Sequence, residues 1–571
     1  MTAGSLMTGE TVPAVTPPHV RCELDGILGW RRCETQGLTL WLKGYLNGDS
    51  AKDLARRLAA LPCEDWAQAA AGLDGHFSLV AARGDEALAA VDRISSIPLS
   101  YGFDGTAWRV DGNARRLAAG LGATTINPGA ALALAMSGAT IGRATLFNGI
   151  ETLGAGEAVL FAPGQEPRRQ RLSLYMPEPD EAVSADDPAL RRRLADVTMA
   201  IFEKMVASLE GRAVAVPLSA GLDSRLVACA MKELGVENVT CFSYGRRGNF
   251  EAEGARRVAA KLGYEWIFVE HTPRQQAATF ASEECRAFEA FADPLNAIPF
   301  HQDFFAVGRL KEKEKIPQEA VIVNGQSGDY IAGNHIPPSL CAVPGDSPGD
   351  LSEEARWARI TDALMDKHYD LWKTLRTPQN AARISRMLRG EMETEGGGLG
   401  APENDFALYE MSEFLNRQVK YVVAGQRSYE WHGYDWRLPL WDNNFLDFWK
   451  AAPLAAKAGR RLFQETFAAC NWGGVWGGEW EFPQTVTPAW LRPVRFAAKL
   501  MHAPLGRARW RRFEKNYFGW AMDEVCNYAV APYGRVARDR RGHRNAVSWH
   551  GERYLAAKGL GLDGLPLGGA A

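Results

Sequence analysis

The chain has 571 residues, of which 46% are hydrophobic and 23% charged, and its formal net charge at pH 7 is -3. At roughly 150 residues per domain, this length leaves room for two to four domains. The near-neutral charge provides no global field for binding nucleic acid, so we expect no nucleic-acid partner. No apolar run approaches the roughly 20 residues that cross a bilayer, and the N-terminus lacks the pattern of a secretory signal. We therefore expect a cytoplasmic protein without a transmembrane segment.

The chain contains nine cysteines. Their number is odd and no C-x-x-C pair occurs, which argues against a disulfide framework and against a zinc cluster. We interpret them as reduced thiols that are mostly buried.

The first half of the chain is predicted to contain a flexible tail and a strand-rich domain. Residues 1–20 are rich in Ser, Thr and Pro, and we assign them to the tail. From Cys22 to Tyr175, short apolar segments alternate with turns, which predicts strands, and we bound this domain at residues 21–178. An acidic stretch from Glu178 to Asp187 contains proline and marks the boundary, and a helix is predicted after it.

Strands and helices then alternate, which predicts a parallel sheet. After the predicted strand Val321–Val323 the segments become mainly helical. We assign residues 187–475 to this second domain and residues 476–571, which are rich in Trp, Arg and Gly, to a C-terminal extension.

The loop that follows the first parallel strand carries the chemistry. Residues 216–225 read VPLSAGLDSR, and they lead from that strand into a helix. Small residues at 219–221 allow the backbone to approach a phosphate, and the N–H groups at the helix start form an anion site. Asp223 is suited to hold a magnesium ion on pyrophosphate, with Ser219 and Ser224 donating to the same oxygens. The alternative is an ordinary strand-to-helix turn with a Ser/Asp cap.

A second acidic loop follows the strand Val321–Val323 and ends at Asp329. The carboxyl ends of parallel strands face one crevice, so Asp223 and Asp329 are predicted to share the magnesium ion. The alternative is that Asp329 is a turn residue.

These two loops resemble those of the asparagine synthetase family, which includes the beta-lactam synthetases and lasso-peptide cyclases. The family's S-G-G-x-D-S loop stands here as SAGLDS, and its G-x-G-x-D loop as GQSGD with Ser327 in place of the second glycine. The segment Arg437–Asp442 is similar to the family's R-x-P-F-L-D, and Arg460 lies where a lysine is expected. The resemblance extends over roughly residues 25–470.

The resemblance implies an α/β and α+β architecture in two parts. The first is an N-terminal nucleophile-type αββα sandwich of the glutaminase kind. The second is an adenine-nucleotide alpha-hydrolase-like parallel-sheet domain with a pyrophosphate loop and a helical C-terminal half. The resemblance also implies that ATP is a substrate and that Asp223 and Asp329 hold Mg²⁺. It further implies a catalytic role for Asp223, Asp329 and Arg460. The implied ATP-binding residues are Leu218, Ser219, Ala220, Gly221, Leu222, Asp223, Ser224, Tyr244, Gly325 and Gln326.

Several departures from the family concern the nitrogen donor. The glutaminase nucleophile is a cysteine at position 2, where this chain has Thr2, and Cys22 would need proteolysis to become a terminus. We therefore expect a degenerate glutaminase domain, so that the donor is free ammonia, ammonia from a separate protein, or an amine of the substrate. Gln326 stands where the family has an acidic or tyrosyl residue, and its amide cannot act as a base near neutral pH. Lys457 is the alternative to Arg460 if the alignment slips by a few residues.

The function predicted from these features is that of a carbon–nitrogen ligase of the EC 6.3 class. It would adenylate a carboxylate and transfer the acyl group to ammonia or an amine, releasing AMP and pyrophosphate. Aspartate is the default substrate, and a sugar acid or a peptide carboxylate is equally compatible with the absence of the glutaminase cysteine. The alternatives are a non-catalytic nucleotide-binding scaffold or partner subunit, and another pyrophosphate-loop enzyme.

Residues 490–515 interleave basic and aromatic side chains. Such a segment is suited to an anionic membrane surface or to an acidic substrate. The alternative, which we favour, is a solvated helix face that packs its aromatic side chains on the body of the protein.

Overall fold

The structure is a computed structural model that describes residues 20–24, 29–180, 182–341 and 351–565. The predicted flexible tail, including Thr2, lies outside the described residues except at its last position. Val20 belongs to a strand, so the predicted boundary at residue 20 is corrected by one residue. Among the described helices, none combines the length and the apolar composition that a bilayer crossing requires. The thiols of Cys33, Cys63, Cys229, Cys241, Cys285, Cys341, Cys470 and Cys526 are free.

The N-terminal part contains two sheets. Its strands are β1 (Val20–Cys22), β2 (Arg31–Thr35), β3 (Leu38–Leu46), β4 (Gly75–Arg83), β5 (Glu86–Val91), β6 (Ser100–Phe103), β7 (Trp108–Asp111), β8 (Ile150–Thr152), β9 (Glu157–Phe161) and β10 (Arg168–Arg171). Its helices are α1 (Ala51–Ala59), α2 (Trp66–Ala71), α3 (Ala114–Leu121) and α4 (Pro128–Ser137). The sheets have the orders β1-β7-β6-β8 and β10-β9-β5-β4-β3-β2.

The two sheets pack face to face between layers of helix. Along β3, Leu40 points to the core under α1 and α2, whereas Trp41 points to the core between the sheets, as the two-residue period of a strand requires. The inner core also contains Val80 of the larger sheet and Tyr101 of the smaller one. Helix α3 covers the outer face of the smaller sheet. The described residues thus form four layers in the order helix, sheet, sheet, helix.

The second part is built on a five-stranded sheet. Its first elements are α5 (Pro188–Ala207), β11 (Val214–Pro217), α6 (Leu222–Glu233), β12 (Val239–Gly245), α7 (Phe250–Leu262), β13 (Glu265–Glu270), α8 (Pro273–Ala281), α9 (Glu283–Ala292), α10 (Phe304–Glu312), β14 (Val321–Val323) and α11 (Gly328–Ile331). The order is β13-β12-β11-β14-β15 and every neighbouring pair is parallel, which confirms the predicted parallel sheet. The fifth strand, β15 (Asp435–Arg437), was not predicted.

The remaining elements are mainly helical, as predicted. Up to residue 475 they are α12 (Glu353–His368), α13 (Pro378–Gly396), α14 (Asp405–Glu413), α15 (Arg427–Trp431), α16 (Asn443–Ala451), α17 (Leu454–Lys457) and α18 (Arg461–Cys470), and α14 continues as a π-helix over Phe414–Val422. The C-terminal helices are α19 (Arg492–His502), α20 (Arg507–Tyr517), α21 (Gly519–Met522), α22 (Tyr533–Ala537) and α23 (Ala546–Ala556).

The C-terminal extension returns to the body of the protein. The guanidinium of Arg225 on α6 donates to the carbonyl oxygens of Val475 (3.1 Å) and Trp480 (3.0 Å). On α23, the hydroxyl of Tyr554 donates to Asp293 over 2.9 Å. These contacts tie both ends of the extension to the second part of the chain.

A fully buried ion pair joins α14 to α17. The ammonium of Lys457 lies 2.6 Å from a carboxylate oxygen of Glu410, and neither side chain is exposed. It also donates to the hydroxyl of Tyr175 over 3.1 Å. Burial lowers the pKa of Lys457 and raises that of Glu410, so each charge depends on the other to remain ionised.

We predict that Lys457→Met lowers the free energy of unfolding by about 3–5 kcal/mol, because it leaves the Glu410 carboxylate buried and unpaired. The double variant Lys457→Met/Glu410→Leu should recover much of this loss. Urea unfolding followed by circular dichroism measures both. The control is Lys450→Met, whose partner Glu178 is 81% exposed at 3.5 Å, and which should change stability by less than about 1 kcal/mol. Equal losses in Lys457→Met and the control would contradict the prediction.

Candidate active site

The loop between β11 and α6 is held by hydrogen bonds from its own backbone N–H groups to its own serine hydroxyl groups. The N–H of Ser219 donates to Ser224 Oγ and the N–H of Gly221 donates to Ser219 Oγ, each over 3.0 Å. The two hydroxyl oxygens lie 3.1 Å apart. Helix α6 begins at Leu222 without a side-chain cap, so the hydroxyls and the N–H groups of its first turn stand together at a helix N-terminus. Ala220 donates its N–H to Glu251 over 2.8 Å.

Two of the predicted ATP-binding residues are engaged by their neighbours. Leu218 is 2% exposed, its N–H donates to the carbonyl of Phe242, and its carbonyl accepts the hydroxyl of Ser243. Leu218 therefore supports the loop from the core. The hydroxyl of Tyr244 donates to the buried carboxylate of Asp303, which stabilises the end of β12.

The loop after β14 lies directly against the loop after β11. The N–H of Asp329 donates to Asp223 Oδ2 over 2.9 Å. A Cβ at position 325 would lie 2.7 Å from the carbonyl oxygen of Asp223, and one at position 328 would lie 2.8 Å from its Cγ. Only glycine allows this approach at Gly325 and Gly328. Because β11 and β14 are neighbours, the structure brings Asp223 and Asp329 together at the carboxyl edge of the sheet.

Ser327 takes the place of the glycine that the resemblance leads one to expect. Its φ of 65° lies in the left-handed region, which favours glycine and costs other residues about 1 kcal/mol. The hydroxyl of Ser327 donates to Gln418 over 3.2 Å, which compensates for part of that cost. The preceding residue, Gln326, donates its N–H to Asn324 Oδ1 over 2.9 Å.

Arg460, and not Lys457, reaches this site. Its guanidinium donates to Asp223 Oδ1 and is 9% exposed, and its Nε is buried without a partner among the described residues. The guanidinium also lies over the ring of Phe463, 4.3 Å from the centroid. Gly459 and Arg460 both have positive φ, so a tight left-handed turn before α18 aims the side chain at Asp223. The ammonium of Lys457 instead forms an ion pair with Glu410 in the core.

The two carboxylates have different electrostatic environments. Burial raises the pKa of Asp223 to about 6, and although Arg460 opposes this rise, the nearby Asp329 adds to it. For Asp329 burial also raises the pKa, but the hydrogen bond and the charge of His335 bring it below its ordinary value. At neutral pH both groups are therefore predominantly ionised, and Asp223 is the one that a change in local charge affects most.

One family model matches the part of the chain that contains this site. Residues 201–466 match the family model described as asparagine synthase. This segment belongs to the asparagine synthase family. The match supports an ATP-dependent, amide-forming ligase kind of activity for the chain. It contains Asp223, Asp329 and Arg460, the three residues that meet at the site.

The other comparisons add little. No curated protein matches the chain. A solved structure titled as the allosteric regulatory enzyme of purine biosynthesis is similar at 12% identity over 43% of this chain, with a TM-score of 0.19. The match spans 63% of that protein, and at such a score it carries no argument about fold or activity.

The asparagine synthase domain also contains a charge network that the sequence analysis missed. His335 Nε2 lies 3.3 Å from Asp329 Oδ2, and its Nδ1 is hydrogen-bonded to the fully buried carboxylate of Glu413. His368 and Lys367 flank the same carboxylate at 3.2 and 3.7 Å. Burial would raise the pKa of Glu413, but the two histidines hold it well below its usual value. Through His335, the network holds the carboxylate of Asp329 in place. Because Glu413 lies 78 residues after His335, no local spacing could have predicted it.

The C-terminal extension borders the asparagine synthase domain beside its loop. The N–H of Arg246, just after β12, donates to the carbonyl of Glu524 over 2.7 Å, and a Cβ at Gly245 would lie 2.8 Å from that oxygen. Gln276 donates to the carbonyl of Val525 over 3.0 Å. Burial and the nearby Glu251 raise the pKa of Glu524 to about 7. The extension thus forms one wall beside the end of β12, which carries the predicted ATP-binding residue Tyr244.

A separate cleft of about 840 Å³ lies between β3 and β15, where the N-terminal part meets the asparagine synthase domain. None of its lining residues belongs to the loop 219–224. Its buried charges Lys43 and Glu430 satisfy each other at 2.9 Å. Because these two charges pair with each other, the cleft is a weaker candidate for the active site than the carboxylate pair at the edge of the sheet.

The residues of the asparagine synthase domain fit a nucleotide with a divalent cation. Two carboxylates meet beside an uncapped helix N-terminus, and oxygen ligands of this kind suit Mg²⁺. The buried Nε of Arg460, which has no partner in the described part of the chain, provides a further donor for an anion. In the present arrangement one oxygen of Asp223 is bound to Arg460, so a cation at that oxygen requires the guanidinium to move.

We predict that Gly328→Ala weakens binding of Mg²⁺-ATP at least about tenfold, because the new methyl group collides with Leu440 and with the carboxylate of Asp223. Calorimetric titration with ATP and magnesium measures the effect. The control is Gly390→Ala on α13, where nothing lies within 4 Å of the new Cβ and binding should be unchanged. Wild-type affinity in Gly328→Ala would show that the close approach of the two loops is unimportant.

Proposed function

We propose that this chain uses ATP to activate a carboxylate as an acyl-adenylate and then transfers the acyl group to an amine or to ammonia. The observation that carries the proposal is the meeting of Asp223, Asp329 and Arg460 at the carboxyl edge of β11 and β14. It is supported by the asparagine synthase match, which covers all three residues.

Each part of the site has a distinct role in the proposed reaction. The hydroxyls of Ser219 and Ser224 and the N–H groups at the start of α6 would bind the β- and γ-phosphates of ATP. Asp223 and Asp329 would hold Mg²⁺, which neutralises charge on the phosphate oxygens. A substrate carboxylate oxygen would attack the α-phosphorus as the bond to pyrophosphate breaks. The amine would then attack the acyl carbon, losing a proton as the bond to AMP breaks.

Arg460 is suited to stabilising negative charge in this sequence of steps. A guanidinium remains protonated throughout the working pH range and can donate two parallel hydrogen bonds to phosphate or carboxylate. Its interaction with Asp223 would be exchanged for one with phosphate or with the tetrahedral intermediate. The left-handed backbone at Arg460 supports such a role, because strain of this kind is concentrated at functional sites.

The four-layered N-terminal part supports a glutaminase-type fold that has lost its nucleophile. We assign it to residues 21–178, the synthetase domain to residues 187–475 and the extension to residues 476–571. Cys22 lies within β1 in register with Val110 of β7, which does not leave it as a chain terminus. The amine would then be free ammonia, ammonia from a separate protein, or a group of the substrate, which is aspartate by default or else a sugar acid or peptide carboxylate.

We predict that Asp223→Asn reduces ATP–pyrophosphate exchange in the presence of a substrate carboxylate by about 100-fold or more, because the variant loses a charged magnesium ligand. A panel of carboxylates that includes aspartate, a hexuronic acid and peptides provides the substrate. The matched control is Asp447→Asn, an exposed carboxylate that pairs with Arg93 and should exchange normally. Normal exchange in Asp223→Asn would remove this residue from the magnesium site.

The second candidate is a nucleotide-binding scaffold without catalysis. It is favoured by the ion pair between Asp223 and Arg460, which occupies one of the oxygens that the cation needs. The same assay separates the two candidates, because a scaffold binds ATP in calorimetry but catalyses no exchange with any carboxylate.

We predict that glutamine does not replace ammonia as the nitrogen donor and that Cys22→Ala leaves turnover unchanged. The reason is that glutamine hydrolysis of this kind depends on a terminal cysteine, whereas Cys22 lies within β1 in register with Val110. Release of AMP with glutamine, with ammonium and with neither donor measures this. A glutamine-dependent rate that Cys22→Ala abolishes would show that the first domain is an active glutaminase.

A further inference from the structure

The helices α19 and α20 form a hairpin with a small core of its own. Ala498 of α19 packs with Trp510 of α20 and with Phe518 just beyond it. The ring of His502 lies 4.1 Å from that of Phe513, and Arg495 donates to Glu514 over 2.6 Å. These contacts occupy the inner face of α19 and leave its outer face without a partner among the described residues.

The outer face of this hairpin is apolar and exposed. Seven of the eleven large apolar side chains that are exposed in the described part of the chain lie between residues 486 and 505. Met501 is 70% exposed, Trp490 67% and Phe496 64%, and Leu500 and Val494 are each more than half exposed. Single exposed apolar side chains are ordinary, but a contiguous group of them marks an interaction surface.

The helical period explains why these side chains share one face. At about 100° per residue, Phe496 and Leu500 lie opposite the buried Ala498, and Met501 and Val494 lie between them and Ala498 on one side of α19, so that the four span an arc of about 160°. Lys499 and Arg492 lie on one border of this arc. The result is a helix with an apolar stripe toward solvent and cations along its edge.

The charge of the hairpin is opposite in sign to that of the whole chain. Residues 490–515 contain eight Lys or Arg side chains and one carboxylate, Glu514, which is already paired with Arg495. On α20, Arg507, Arg509 and Arg511 are exposed and have no ion-pair partner within the described residues. Such a surplus of cations beside an apolar stripe matches the chemistry of a bilayer interface that carries anionic lipids.

We propose that the α19–α20 hairpin docks the protein on an anionic membrane surface, with the apolar stripe of α19 lying in the interface and the cations of both helices facing lipid headgroups. A bilayer is the occupant that uses both features of the surface. A polyanion such as nucleic acid would engage the cations but leave the apolar stripe in water. A second copy would bring two strongly positive faces together.

The test is co-sedimentation of the full-length protein with vesicles of phosphatidylcholine alone or with about one third phosphatidylglycerol. Binding to the anionic vesicles should be at least about tenfold tighter than to the neutral ones, and it should weaken as salt is added. The double variant Leu500→Glu/Met501→Glu should lose at least about tenfold in binding, since it places charge in the apolar stripe. Lys499→Glu should lower binding to anionic vesicles alone.

The matched control is Phe103→Glu, which changes an apolar side chain of similar exposure on β6 and should bind vesicles normally. Pyrophosphate exchange should be unchanged in all of these variants, which separates this proposal from the proposed catalysis. Absence of binding to anionic vesicles, or equal binding by the double variant, would overturn the proposal. So would a dimer in light scattering, or capture by an acidic protein, that the double variant abolishes while vesicle binding is unaffected.

Discussion

The carboxylate of Asp223 is the group on which the site depends. It accepts the N–H of Asp329, which lies 106 residues away in sequence, and the guanidinium of Arg460, which lies 237 residues away. One partly buried carboxylate thereby joins the loop after β11, the loop after β14 and the turn before α18. Removing it from water is unfavourable, and this burial, together with the nearby charge of Asp329, raises the pKa of Asp223. The three segments can meet only because the sheet places β14 beside β11.

The surrounding structure supports this carboxylate by close packing and by charge. Gly325 and Gly328 let the second loop approach within contact distance, and the chain of Glu413 and His335 fixes Asp329 from the other side. Glu413 ends α14 where the π-helix begins, an irregularity that is common at functional sites. Together these features position Asp223 and Asp329 relative to each other before any substrate binds, and such preorganisation favours electrostatic stabilisation. Arg460 is the exception, since its guanidinium has to leave Asp223 before a cation can bind at that oxygen.

The C-terminal extension combines two kinds of surface. Near the site, its backbone around Glu524 and Val525 packs against the end of β12 and against α8. Farther along, the segment that contains the hairpin buries some of its aromatic side chains and exposes others. Trp510 and Phe518 are buried, whereas Trp490 and Phe496 are exposed. The expectation that this segment packs its aromatic side chains on the protein is therefore correct for one helix face only.

The sequence by itself determined the parallel sheet, the position of the loop 219–224 at a helix start and the second acidic loop, because each is a local pattern. Strand period, helix length and small residues at a turn act over a few residues, so composition and spacing are sufficient. The resemblance also indicated Arg460, but it could not choose between Arg460 and Lys457. Only the tertiary structure decided that Lys457 is buried against Glu410, that β15 extends the sheet, and that His335 and Glu413 support Asp329. It alone showed that the stripe of α19 faces solvent, because burial depends on contacts between residues far apart in the chain, which no local pattern records.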